Sequence, residues 1–126
     1  MAANLPEPAS TAFRGRQGET AACRILENLG VKVLQRNFRT ARGEVDIIAM
    51  DRETLCFIEV KTWKRDLWPD LNRSVDARKR QRIRQTAVAW LAQNLGQRPA
   101  DILRFDLFLL DPETGSHDWL TGALDY

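Results

Sequence analysis

The stretch that decides the fold runs from Gly43 to Thr62 and reads GEVDIIAMDRETLCFIEVKT. Apolar and polar side chains alternate in its first part, and its second part is rich in β-forming residues. The tetrapeptide Asp-Arg-Glu-Thr between them is typical of a turn. We therefore predict strands at 43–51 and 55–61 that pair antiparallel as a hairpin, with Val45 and Ile47 on one face of the first strand.

The position of the turn predicts how the two strands pair. A turn centred on residues 52 and 53 brings together positions whose numbers sum to about 105, so Asp46 is expected opposite Glu59. Lys61 follows Glu59 by two positions and shares its face of the strand. Charged groups in strands that otherwise look buried cost several kcal/mol of desolvation unless they are paired or hold an ion.

Helices and further strands are expected on both sides of this hairpin. Apolar spacings of three and four predict a helix over 16–29 and a longer helix capped by Ser74 and ended by Gly96. Further strands are expected at 31–37, at 102–110 and near Trp119, the first and last of them short. This order predicts a mixed α/β or α+β fold with a central mixed sheet flanked by helices. Residues 1–12 are expected to form a flexible tail, and residues 13–126 a single domain.

Composition excludes several classes of protein. The chain has 126 residues, of which 44% are hydrophobic and 29% are charged, as in a soluble globular domain. Because no apolar run approaches the roughly 18 residues of a membrane helix, we expect no membrane span. The first residues lack the basic and apolar regions of a secretory signal, so we expect a cytoplasmic location.

The net charge of +2 hides two basic clusters. One lies between Arg14 and Arg42, and the other between Arg73 and Arg84, where Arg78, Lys79 and Arg82 belong to the second helix. Both are mostly arginine, whose planar fork suits phosphate oxygens, so nucleic acid, with DNA favoured, is the expected partner. A solvated helix face is the alternative. One subunit of this size covers little of a duplex, which leaves a homodimer open for work on both strands.

The charged side chains of the hairpin suggest a chemistry. Asp46 and Glu59 are two carboxylates without neighbouring histidine or cysteine, a combination that favours Mg²⁺ or Mn²⁺ over zinc. A phosphate ester is the expected substrate, and Lys61 could hold the attacking water or neutralise charge on the phosphorus. The alternative is a buried structural ion pair with a spectator carboxylate.

Two segments of the hairpin carry a resemblance to a known family. Gly43–Ala49 and Phe57–Thr62 resemble the YraN-like family of small bacterial proteins, which is itself similar to the restriction-endonuclease-like PD-(D/E)XK nucleases, including Holliday-junction resolvases. The likeness extends to Gly18-Glu19-x-x-Ala22, Arg36-Asn37, Lys79 and Arg104-Phe105-Asp106.

This resemblance implies a restriction-endonuclease-like fold and assigns roles to individual residues. It makes Asp46 and Glu59 metal ligands, Lys61 the catalytic lysine, and Glu19 a further acidic ligand reaching in from the first helix. Val45 stands where the superfamily is named for proline, a replacement common in the wider group.

Three hypotheses follow from the sequence. The first is a metal-dependent endonuclease that acts on DNA in recombination or repair. The second is a nucleic-acid-binding module that keeps the nuclease-like fold without turnover. The third is a scaffold protein in which the acidic cluster is only a structural ion pair. Metal-dependent cleavage separates the first from the second, and salt-sensitive binding separates both from the third.

Overall fold

The computed structural model describes residues 7–66, 75–94, 96 and 101–125, with side chains from residue 16 onward. Two helices and five strands follow one another along this part of the chain. They are α1 (Glu7–Asn28), β1 (Lys32–Thr40), β2 (Gly43–Asp51), β3 (Thr54–Thr62), α2 (Ala77–Gln93), β4 (Ile102–Leu110) and β5 (His117–Leu120).

The strands form one open mixed sheet in the order β1-β2-β3-β4-β5. Strands β1, β2 and β3 pair antiparallel, β3 and β4 pair parallel, and β5 returns antiparallel to β4. The parallel pair requires a crossover, and α2 lies within that connection. The α+β class with a mixed sheet flanked by helices, predicted from the sequence, is confirmed.

Each helix packs against an apolar cluster of the sheet. The α1-side core joins helix residues to side chains of β2, β3 and β4; its buried members are Ala22, Cys23, Leu26, Val31, Ile47, Ala49, Cys56, Ile58, Phe108 and Leu110. The α2-side core is the corresponding cluster under α2; its buried members are Phe38, Val45, Ile48, Leu55, Phe57, Val75, Ile83, Ala87, Trp90, Leu107, Leu109 and Leu124. Burial on both faces explains the nearly continuous apolar runs of the central strands.

The first helix is longer than predicted. It begins at Glu7 instead of residue 16, so residues 7–12, expected to belong to a flexible tail, are helical. Pro8 falls in the first turn, where a missing backbone N–H breaks no intrahelical hydrogen bond. Residues 1–6 of that tail lie outside the described part of the chain.

The second helix begins and ends at residues other than those predicted. Its N-cap is Asp76, whose carboxylate accepts a hydrogen bond of 2.9 Å from the backbone N–H of Lys79. Ser74, the predicted cap, lies outside the described residues. The helix ends at Gln93 with Asn94 as C-cap, before Gly96. Aspartate and serine cap helices about equally well, so composition alone did not separate the two positions.

No helix in the described ranges has the length and apolar character needed to cross a membrane.

Candidate active site

The β2–β3 ladder brings two carboxylates together at one end of the hairpin. Ile47 pairs with Ile58, and Ile48 with Phe57, which is the predicted register. Asp46 and Glu59 lie one step beyond the Ile47–Ile58 pair, away from the turn, at only 5% and 7% exposure. The Asp46 carboxylate accepts a hydrogen bond of 2.8 Å from the backbone N–H of Val60. The two acidic groups are therefore held on neighbouring strands and away from bulk water.

Strand β2 twists at Asp46, against the predicted alternation. Val45 packs in the α2-side core, whereas Ile47 packs in the α1-side core, so the expected common face for these two residues is wrong. Arg36 pairs with Ile47 and Phe38 with Val45, which places Asn37 of β1 across from Asp46. Asn37 has a left-handed φ of 53°, a conformation that asparagine tolerates better than most residues. The change of face between Val45 and Ile47 and the unusual backbone of Asn37 thus occur next to the site.

Helix α1 supplies a third carboxylate. Glu19 lies close enough to hydrogen-bond the side chains of Asn37 and Asp46. The approach of the helix depends on Gly18, because a Cβ added there would lie 2.1 Å from Cγ2 of Thr62 at the end of β3. Glycine thus allows α1 to pack against this end of the sheet and to bring Glu19 to the other acidic groups.

Two lysines meet one oxygen of Glu59. Nζ of Lys61 lies 3.5 Å from Oε1 of Glu59, and Nζ of Lys79 lies 2.8 Å from the same atom. Lys79 is expected from the sequence to contact nucleic acid; in the structure its ammonium is in the carboxylate cluster. The cap at Asp76 positions the first turn of α2 so that Lys79 reaches β3.

The electrostatics of the cluster follow from burial and crowding. Burial, followed by the charge of Glu59, raises the pKa of Asp46 to about 8. Burial also raises the pKa of Glu19 and lowers the pKa of Lys61, which has the Lys79 ammonium beside it. For Lys79, burial acts to lower the pKa, but the neighbouring Glu59 carboxylate outweighs it and the pKa is raised. The site brings together three carboxyl groups, those of Asp46, Glu59 and Glu19, and only two lysine ammonium groups.

The donor set suits a hard divalent cation. Oε2 of Glu19 is buried and has no hydrogen-bond partner among the described residues, and Asp46 and Glu59 add further carboxylate oxygens. Oxygen ligands of this kind are those that Mg²⁺ and Mn²⁺ prefer. Within the described ranges, no three histidine, cysteine, aspartate or glutamate side chains already lie in an arrangement that could hold a metal ion. The residues therefore fit such an ion chemically, and coordination would require side-chain movement.

A cavity of about 250 Å³ opens beside Glu59. Its described lining residues are Gly43, Glu44, Glu59, Lys79, Arg82 and Ile83. Arg82 thus borders the site, and Arg78 is exposed on the first turn of α2. Of the three side chains expected to contact nucleic acid, Arg78 and Arg82 are exposed, and Lys79 is 34% exposed and paired with Glu59.

A second buried acidic residue shows what a satisfied structural carboxylate looks like in this fold. Asp106 is completely buried and accepts hydrogen bonds from Arg104, Trp119 and the backbone of Gly122, at distances of 2.8 to 3.0 Å. Arg104 also pairs with Asp51 at 3.0 Å. The Arg104-Phe105-Asp106 segment therefore stabilises the packing of β4 and β5, whereas Asp46 faces other carboxylates.

The fold and the site together define the chain as an α+β protein with a cluster of carboxylates and lysines at one end of its central hairpin. It has an open mixed sheet between two helices, with carboxylates and lysines clustered where α1, β2, β3 and α2 meet. Comparison with known proteins then assigns the family. Residues 18–110 match the model of "Uncharacterised protein family UPF0102", and the chain belongs to this family, which confirms the resemblance to YraN-like proteins.

Curated relatives match most of the chain. A UPF0102 protein of Pseudomonas aeruginosa is 35% identical over 122 residues, covering 92% of this chain and 95% of the relative. A UPF0102 protein of Halorhodospira halophila is 41% identical over 93 residues, covering 74% and 77%. A third, from Frankia casuarinae, is 39% identical over 102 residues, covering 80% and 85%. The chain is thus similar to these proteins over most of their length.

Proposed function

We propose that this chain is a metal-dependent nuclease that hydrolyses phosphodiester bonds of DNA, with a role in recombination or repair. The observation that carries the proposal is the convergence of Asp46, Glu59 and Lys61 on adjacent strands, in a buried cluster that also receives Glu19. A structural ion pair would be satisfied by its partners, as Asp106 is. The excess of buried carboxylate is instead what a cation site requires.

Asp46, Glu59 and Glu19 are the residues that would hold Mg²⁺ or Mn²⁺. A divalent ion bound there would neutralise charge on a phosphate oxygen and make a nearby water more acidic. The backbone N–H of Val60 keeps the Asp46 carboxylate oriented through a hydrogen bond of 2.8 Å. Glu59 is anchored by strand β3, which has a paired strand on each side.

Lys61 is the side chain assigned to the chemical step. Its ammonium lies 3.5 Å from Glu59, and its side chain is 19% exposed, so it is positioned beside the carboxylates and still reaches solvent. From there it would hold the attacking water or donate to an oxygen of the phosphate as negative charge develops. Arg82 at the cavity and Arg78, exposed on the first turn of α2, would bind phosphates of the same strand.

A second candidate function has one observation in its favour. Nζ of Lys79 lies 2.8 Å from Oε1 of Glu59, one of the carboxylates that would hold a metal ion. An internal ammonium can replace the charge of a cation while supplying none of its chemistry. A nucleic-acid-binding module without turnover is therefore the alternative to the nuclease.

Cleavage assays separate these functions. Purified protein is incubated with linear, nicked, flapped and four-way DNA in Mg²⁺, in Mn²⁺ and in EDTA. We expect cleavage only with metal, and its loss in Glu59→Gln, which keeps the size of the side chain and removes the charge. Glu53→Gln is the matched control, because Glu53 is exposed in the turn at the far end of the hairpin.

Two outcomes contradict the nuclease proposal. One is a folded wild-type protein that cleaves none of the substrates with either ion. The other is cleavage that survives in Glu59→Gln. Salt-sensitive DNA binding without cleavage would instead support the binding module.

A further inference from the structure

A groove of about 500 Å³ runs along the outer face of α1. The described residues that line it are Arg16, Gln17, Thr20, Ala21 and Arg24. Arg16, Thr20 and Arg24 recur at intervals of four and therefore lie along one side of the helix. None of these residues belongs to the carboxylate cluster.

Arg36 of β1 places a third guanidinium beside this groove through a contact with Thr20. Its Nη2 donates a hydrogen bond of 2.9 Å to Oγ1 of Thr20, and that hydroxyl donates to the backbone oxygen of Arg16 at 3.0 Å. A neutral threonine thus holds Arg36 against the helix, and the charge of the guanidinium is not neutralised by this contact.

The arginines of the groove differ from others in the fold. Arg39 pairs with Glu44 at 2.8 Å, and Arg104 pairs with Asp51 and Asp106. Among the described residues, no carboxylate lies within ion-pair distance of the three groove guanidinium groups of Arg16, Arg24 and Arg36. The charge of Arg36 acts on the nearby Glu19 carboxylate and tends to lower its pKa, so Arg16 and Arg24 are the groove charges for which an external anion would serve as counterion.

The groove borders the candidate site directly. Glu19 and Thr20 are consecutive on α1, and they contact Asn37 and Arg36, which are consecutive on β1. The contact between Glu19 and Asn37 belongs to the carboxylate cluster, and the contact between Thr20 and Arg36 belongs to the groove. On the α2 side, Arg82 lines the cavity beside Glu59. The acidic cluster therefore has an arginine surface on each helix.

We infer that the α1 groove, formed by Arg16, Thr20, Arg24 and Arg36, binds the phosphodiester backbone of DNA next to the candidate active site. This inference rests on the proposed function for the nature of the ligand. At a rise of about 1.5 Å per residue, Arg16 and Arg24 lie about 12 Å apart along the helix axis. That distance spans several phosphates of one strand, at about 3.4 Å of duplex axis each. Contacts between the DNA backbone and arginines of both helices would position the phosphate that lies between α1 and α2.

The test is a binding titration that does not depend on catalysis. Binding of wild-type protein to labelled duplex and single-stranded DNA is measured in EDTA over a range of salt concentrations. The double variant Arg16→Gln, Arg24→Gln is compared with Arg52→Gln, which removes an exposed arginine from the β2–β3 turn. We expect the slope of log K against log salt to become shallower in the double variant, by about 0.9 for each duplex phosphate that the protein no longer neutralises.

The outcomes separate this inference from the proposed nuclease function. An unchanged slope in the double variant, or an equal change in Arg52→Gln, overturns the groove assignment even if the wild type cleaves DNA. A shallower slope that Arg16→Lys, Arg24→Lys restores supports the groove even if no cleavage is found with any metal. Melting curves confirm that each variant is folded before its slope is interpreted.

Discussion

The ammonium of Lys79 lies 2.8 Å from Oε1 of Glu59 and links the first turn of α2 to the carboxylates at the end of β3. If the proposed divalent ion binds Glu59, this lysine would compete with it for the carboxylate. Replacement of Lys79 is therefore expected to have opposite effects with and without metal.

Lys79→Met is expected to bind Mn²⁺ several-fold more tightly than the wild type, because the competing charge is gone. Without metal, the variant should be less stable by about 1 kcal/mol, since Glu59 loses a partner whose side chain is one-third exposed. Calorimetric titration and urea unfolding in EDTA measure the two effects. Weaker Mn²⁺ binding in Lys79→Met would show that the lysine supports the metal site.

Metal binding is expected to require Glu59. Addition of Mn²⁺ should raise the melting temperature of the wild type, because binding to the folded state adds RT ln(1 + [L]/Kd), or about 2.7 kcal/mol at a hundredfold excess over Kd. The shift should disappear in Glu59→Gln and remain in Glu53→Gln, which changes an exposed carboxylate in the β2–β3 turn. Equal shifts in all three proteins would place the ion elsewhere.

Lys61→Met is expected to reduce cleavage by about 100-fold or more while DNA affinity in EDTA stays close to that of the wild type. The reason is that Lys61 lies beside Glu59 at the proposed reacting centre, where charge would develop only during the reaction. Lys64→Met serves as the control, because Lys64 is exposed and pairs with Glu113 at the surface. Normal turnover in Lys61→Met would remove this lysine from the mechanism.

Asp46→Asn is expected to stabilise the metal-free protein at high pH. The pKa of Asp46 is about 8 in the folded chain, against an ordinary value of 3.8, so protonation favours the folded state. Wild-type stability should therefore fall as pH rises from about 4 to 8. Asparagine keeps an oxygen for the Val60 N–H and stays neutral, so the variant should be more stable than the wild type at pH 8 and lose this advantage near pH 4.

Urea unfolding in EDTA at several pH values measures that difference. Parallel pH profiles for Asp46→Asn and the wild type would mean that Asp46 is already ionised without strain in the folded chain.

Arg78 and Arg82 are expected to contribute sequence-independent affinity for DNA. Both are exposed on α2, and Arg82 also borders the cavity beside Glu59. Arg78→Gln, Arg82→Gln should make the salt dependence of duplex binding shallower, by about 0.9 for each phosphate left without its arginine, with little change in preference between sequences. Arg52→Gln is again the matched control. If the slope is unchanged, these arginines form only a solvated helix face.

The central hairpin was predictable because its signals are local. Alternation located β2, and the position of the turn determined that Ile47 pairs with Ile58. The bounds of β4 were also correct, since Ile102–Leu110 is a run of β-forming residues followed by a turn. Pairing of near neighbours in sequence involves few alternatives, and these elements needed no knowledge of the rest of the chain.

The parts of the site that local patterns do not determine depend on distant contacts. Lys79 lies in a basic segment that resembles a solvated helix face, and only the packing of α2 turns it toward Glu59. Val45 was assigned to the wrong face because the twist of β2 arises across the ladder from Asn37, whose left-handed backbone is not visible in alternation. Glu19 was selected through family resemblance, since no local pattern on α1 distinguishes it from other surface acids.

The contact between Gly18 and Thr62 makes the spacing of the site sensitive to a single methyl group. A side chain at position 18 would press α1 away from the end of β3 or force Thr62 to rotate. A displaced helix would carry Glu19 outward, together with the arginines on its outer face, and leave Asp46 and Glu59 in place on the sheet. The width of the gap between the acidic cluster and the α1 groove is thus set by a residue that contributes no functional group to either.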